Sequence, residues 1–285
     1  MDPFELLPPE LIVQILLSTA DFVGIESLLT VSPRVYAVFY ERPSRSFQSV
    51  LEANSIASED VVQRTIREVW LLHGPSFDEY LKFTDGVHGQ LETDTRAYTH
   101  DTTVPKMMQI SAQIQRLACL CLSTMRQNFV NAIGCTGVGS LQGPVRAQYA
   151  GRDFSWVEEA NVFWILWHLR HYSDLHTRGS HENWPASSAE RFAEYRERNS
   201  LHMYHAEMIS VVSAILNDLG LNPIYSYPGL RECEESPEAS WGYPVQTPLP
   251  RFHSFELEDT HITIWPPQPK PEDVDHHAFA FNFES

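Results

Sequence analysis

Leu7-Pro8-Pro9-Glu10-Leu11-Ile12-Val13-Gln14-Ile15-Leu16-Leu17-Ser18 is the stretch whose reading decides the fold. Two prolines suit the first turn of a helix, where a backbone N–H has no partner to lose, and Glu10 complements the positive end. At about 100° per residue, Glu10, Gln14 and Ser18 fall in one narrow polar stripe. Leu11, Ile12, Val13, Ile15, Leu16 and Leu17 fill the remaining arc. A helix packed on a single core needs an apolar face of only roughly 100°. This helix has more than one core can use, so one side must meet either the rest of the chain or another protein.

Working outward, the helix is expected to run to Ser18 or Thr19. Asp21 is placed to cap a second helix carrying Ile25, Leu28, Leu29 and Val31. Ser32-Pro33 restarts the chain as a third helix, Arg34 to about Tyr40, and Arg42-Pro43 ends it. From Phe47 to about Gly220 the apolar spacing stays helical and predicts helices near 46–54, 58–73, 75–83, 105–132, 154–177 and 186–219. Ser58-Glu59-Asp60 and Ser187-Ser188-Ala189-Glu190 read as starts, Gly74-Pro75 and Gly220 as stops, and the glycine-rich 133–151 as the longest internal loop.

Beyond Leu221, ten prolines forbid long helices. Trp241, Tyr243, Phe252, Phe255, Trp265, Phe279, Phe281 and Phe283 in the same stretch argue against a solvated tail. Residues 222–285 are therefore expected to wrap over the helical body, with 255–265 able to pair as strands. The expected fold is mainly α. A three-helix unit at 1–43 leads into an α-helical domain at 44–221 and then a proline- and aromatic-rich acidic segment at 222–285.

Composition narrows the partners. A net charge of −17 repels phosphate, so nucleic acid and anionic membrane surfaces are not expected partners. The longest clearly apolar run, Val162 to Trp167, is far short of the roughly 20 residues that span a bilayer. Met1-Asp2-Pro3-Phe4-Glu5 is acidic and unlike an export signal. Cys119, Cys121, Cys135 and Cys233 show no disulfide or CxxC spacing and read as reduced thiols. A cytoplasmic or nuclear location is expected. Lys82, Lys106 and Lys270 are the only lysines, against seventeen arginines. Genome composition or chance is the simplest account of that imbalance.

The order and spacing of Leu7-Pro8-Pro9-Glu10-Leu11, Ile15-Leu16, Asp21-Phe22, Leu28-Leu29-Thr30-Val31-Ser32 and Arg34-Val35-Tyr36 resemble the F-box consensus. Val31-Ser32-Pro33-Arg34 is similar to the fungal branch of that family. The resemblance covers about the first 43 residues and implies a three-helix unit that docks on the Skp adaptor, and through it on a cullin. Carried over by position, it implies contacts from Leu7, Pro8, Leu11, Ile15, Leu16, Leu28 and Val31. The sequence departs at Val35, where many F-boxes carry tryptophan; the loss of aromatic area lowers the expected affinity. The implied role is that of a substrate receptor in an SCF-type E3 ubiquitin ligase. It would have no active site or cofactor of its own and would take part in the ubiquitin conjugation pathway by binding protein. The rival readings are an F-box protein working with the Skp adaptor outside ubiquitination, and an all-α enzyme or small-molecule binder.

That last reading centres on one helix. Trp164, His168, His171, Tyr172 and Leu175 share a face, which reads either as ordinary core whose histidines bond locally or as the candidate surface for an unidentified protein substrate. His168 with His171, and His202 with His205, have spacing that could share a metal. Zinc wants a third or fourth ligand, and no HExxH or paired CxxC exists, so no metal is expected. Gly134 to Gly143 lacks the order of a phosphate-binding loop, and no GxSxG nucleophile motif is present.

Overall fold

The computed structural model describes residues 2–19, 21–74, 79–80, 83, 101–135, 153–181, 209 and 211–216. Among these, every regular element is a helix, and the mainly α fold expected from the periodicity holds. The segment 222–285 with its expected strands, the loop after Cys135 and most of the helix expected at 186–219 lie outside the described residues.

Local chemistry sets the first three helices. α1 spans Pro9–Thr19, and Pro8 begins it, its carbonyl accepting the Leu11 and Ile12 N–H groups. α2 spans Phe22–Val31 and is capped by Asp21, whose carboxylate accepts the Val23 and Gly24 N–H groups at 3.3 and 2.8 Å. Ser32 then serves two helices. Its backbone N–H closes α2 on the Leu28 carbonyl, and its Oγ accepts the Val35 N–H to start α3, Pro33–Glu41.

Pro43 opens α4 as well as closing the stretch before it. α4 covers Pro43–Ala53, starting earlier than expected because proline is tolerated in a first turn. Asn54 ends it, its side-chain carbonyl accepting the Ile56 and Ala57 N–H groups at 3.1 and 2.8 Å. α5, Asp60–His73, stops at Gly74 as read from the sequence. A 3₁₀ turn at Asp101–Thr103 leads into α6, Val104–Cys135, and α7 covers Trp156–His181. Both long helices outrun their predicted ends, passing through Gly134 and Gly179. Ile209 and residues 211–216 are helical too, as are Glu79, Tyr80 and Phe83.

One apolar core runs from Ile12 to Leu216. α2 and α7 lie against α6, while α5 packs on α7. A line of rings, Phe22 to Phe47 at 6.4 Å and Phe47 to Trp70 at 5.4 Å, joins α2, α4 and α5. From α6, Gln115 accepts the Phe22 N–H at 2.9 Å and donates to Asp21, and Arg116 pairs with Glu26. The first 43 residues therefore share their core with the helices that follow. Burying each large side chain of this kind contributes roughly 1.5–3 kcal/mol, so α1 to α3 draw much of their stability from the later chain. No single helix among the described residues is long and apolar enough to cross a membrane.

Candidate functional site

Two features stand out: exposed apolar side chains on and just before the first three helices, and a polar cluster inside the body. The exposure on α1 follows from how the helix divides its wide apolar arc. Ile12 and Leu16 point into the core, at 0% and 4% exposed, while Leu11 and Val13 stay 45% and 42% exposed. Val31 at the end of α2 is 65% exposed, and Tyr36 on α3 is half exposed with its ring 4.3 Å from that of Tyr40. Ahead of α1, Leu6 is almost fully exposed, and Pro8 is exposed beside it.

The seven residues named for docking are thus not all at the surface. Pro8, Leu11 and Val31 are exposed, and Ile15 is half-buried. Leu7 and Leu28 are partly buried against the core. Leu16 is a correction: it belongs to the core, one helical turn from Ile12 on the inward stripe of α1. Val35, where the resemblance implied an interface aromatic, is also buried, so its small size bears on packing within the chain. Leu6, Val13 and Tyr36 were not foreseen. Leu6 and Val13 lie just before and within the apolar run of α1, where periodicity alone does not say which side of the arc is covered.

The polar cluster lies between α5 and α7, helices that pack closely along their length. On α7, Arg170, His171 and Asp174 are all buried; on α5, Glu68 is buried beside them. The Asp174 carboxylate takes the Arg170 Nε–H at 2.7 Å and lies 2.9 Å from His73 Nε2. Burial alone would raise the Asp174 carboxyl, but the hydrogen bond from His73 and the Arg170 guanidinium hold it below the ordinary carboxylate value. His171 Nε2 lies 3.0 Å from the Tyr80 hydroxyl, and its Nδ1 is 3.5 Å from Glu68. Burial pushes Glu68 up to about 7 against the opposing charge of Arg64. It pushes His171 down to about 3, with His168 adding to the shift and Asp174 opposing it.

These groups tie α5 to α7 within the fold. Trp164 is 6% exposed and His171 3% exposed, so the substrate surface expected at Trp164, His168, His171 and Tyr172 is corrected to core for those two. His168 is half-buried with its ring stacked on Trp164 at 5.5 Å; the Tyr172 side chain is outside the described residues. The partners explain the change: a histidine facing a buried carboxyl and a tyrosine hydroxyl is satisfied within the fold. Cys121 is buried too, and burial, with Cys119 adding, pushes its thiol up to about 12, where it is a poor nucleophile. Among the described residues no group of three or more His, Cys, Asp or Glu is placed to hold a metal ion. His202 and His205 are outside those residues. Ser155 was missed as a start signal: Ser155 and Glu158 bond reciprocally at the head of α7, a capping box visible as Ser155-Trp156-Val157-Glu158.

No family model, curated protein or solved structure matches the chain.

Proposed function

We propose that this chain is the substrate-receptor subunit of an SCF-type cullin–RING ubiquitin ligase, docking on the Skp adaptor through α1 to α3. One observation carries the reading. Of the six large exposed hydrophobic residues among those described, Leu6, Leu11, Val13, Val31 and Tyr36 all fall within the first 36 positions. That is the stretch that resembles an F-box. Apolar side chains gathered on one segment and left uncovered mark a surface that another protein covers. The rest of the body offers no comparable concentration among the described residues, with Val211 the sole other member.

In this role the chain contributes position and no chemistry of its own: it brings a protein substrate to the ligase machinery. Recognition of that substrate falls to residues beyond α3.

The test uses the whole chain with Leu11→Asp and Val31→Asp. Both positions are exposed, so the double variant should fold and melt like the native protein. A charge forced into an apolar contact should abolish capture of the purified Skp adaptor and, with it, of the cullin. Undiminished capture by a folded double variant would end this reading.

A further inference from the structure

Residues 2–7 precede the first helix, yet they are folded. The Glu5 N–H donates to the Asp2 carbonyl at 3.2 Å and the Leu7 N–H to the Phe4 carbonyl at 3.1 Å, two overlapping turns. Phe4 and Leu7 pack against the core, and Leu6 between them faces out, 95% exposed.

What pins this turn is the Asp2 side chain. Its Oδ1 accepts the Phe4 N–H at 2.9 Å and its Oδ2 accepts the Arg34 N–H at 3.0 Å. The buried Ser32 hydroxyl lies 2.9 and 2.8 Å from the two oxygens. Because Ser32 Oγ already accepts the Val35 N–H, its own proton is free for Asp2. Ser32 and Asp2 thus cap successive N–H groups at the head of α3, where a negative charge is favoured. Burial works to raise the Asp2 carboxyl, but the bonds from Phe4, Arg34 and Ser32 leave it below its ordinary value, and so ionised.

Ordering a stretch of backbone costs conformational entropy. Burial of Phe4 and Leu7 repays part of that cost, while Leu6, held in water, adds nothing to it. A bound partner, however, gains whenever its contact is ordered in advance. Val31 is next to Ser32 in the chain, so the clamp ties the turn that carries Leu6 to the residue beside Val31.

We propose that Asp2 is a positioning residue for adaptor docking, stapling the 2–7 turn to the α2–α3 junction so that Leu6 and Val31 are presented as one apolar edge. This rests on the docking role proposed above and extends it to a residue that precedes the motif stretches carrying the F-box resemblance.

The experiment measures the affinity of purified Skp adaptor for the full chain, as the native protein and as Asp2→Ala, Leu6→Ala and the double variant. Melting and amide hydrogen exchange are followed on the same samples. Each single change should weaken binding by about tenfold, the scale of one interface anchor. The double variant should bind no worse than either single one, because Leu6 contributes only while the clamp holds it. Exchange at Glu5 and Leu7 should quicken in Asp2→Ala while the melting temperature stays within a few degrees. Asp2→Asn keeps the size but turns an amide toward the Arg34 N–H, and should show the same loss should Asp2→Ala fold poorly. Native affinity in a folded Asp2 variant, or single losses that multiply in the double variant, overturns the clamp alone. Failure of the native protein to bind the adaptor overturns the docking role and this inference together.

Discussion

His171 Nδ1 sits 3.5 Å from Glu68 Oε2 inside the α5–α7 contact, an acid and a base that exchange their usual protonation preferences when the chain folds. Unfolded, the histidine would be charged below pH 6.5 and the glutamate above 4.5. Folded, the pair keeps one proton between about pH 3 and about pH 7.

The sign of the pH dependence follows. His171 has a lowered value, so its contribution is present above 6.5 and is lost as pH falls toward about 3. Glu68 has a raised value, so its contribution is present below 4.5 and is lost as pH rises through about 7. Between 4.5 and 6.5 the two slopes oppose, and the pair makes stability flat there. From pH 4.5 to 3 only the His171 loss remains, on the order of 2 kcal/mol. Denaturant melts across pH should show His171→Gln reducing the acid-side loss and Glu68→Gln removing the decline from pH 6.5 to about 7. A native protein whose slopes match both variants would refute the assignment.

Asp174 joins the partly exposed His73 on α5 to Arg170 on its own helix, with Asp174 and Arg170 themselves buried. Asp174→Asn should destabilise by about 3–5 kcal/mol, because it removes the carboxylate charge that Arg170 and His73 both face. Arg170→Met with Asp174→Leu should recover most of that loss, since an apolar pair needs no solvation. Urea unfolding of the native protein and the two variants checks the order. A single variant as stable as the native protein would mean that water reaches this contact.

Leu11 and Ile12 are neighbours on α1 with opposite fates. Ile12→Ala should cost about 2–5 kcal/mol of stability, as a large-to-small change in a packed core does. Leu11→Ala should cost under about 0.5 kcal/mol, the usual scale of a surface change, yet weaken adaptor binding. Paired melting and binding measurements decide it. A larger stability loss at Leu11 than at Ile12 would reverse the orientation of the helix.

Gln115 reaches from α6 to the Phe22 N–H and to the Asp21 cap. Gln115→Leu should cost about 1–3 kcal/mol by leaving a buried N–H unmet. Amide exchange at Phe22 should quicken in step. Unchanged protection there would show that the N–H finds another acceptor.

The helix boundaries of the first forty residues were legible because the signals are local. Pro8-Pro9, Asp21 and Ser32-Pro33 act on N–H groups within a turn of themselves, and a cap needs no distant partner to work. The alternation of apolar residues in α5, α6 and α7 likewise announced helices, since the 3.6-residue period is written in the chain. Which side of α1 would be covered was not written there. Ile12 and Leu16 face inward because α4 and the helices behind it supply the surface that covers them, and that surface comes from sequence read much later. His171 shows the same limit. Its neighbours on α7 gave an amphipathic face suited to a partner, whereas its environment is set by Tyr80, ninety-one residues away, and by Glu68 on another helix. Local hydrogen bonding fixed where the helices begin and end; burial, which depends on what arrives from elsewhere in the chain, decided which of their residues remain free to meet another protein.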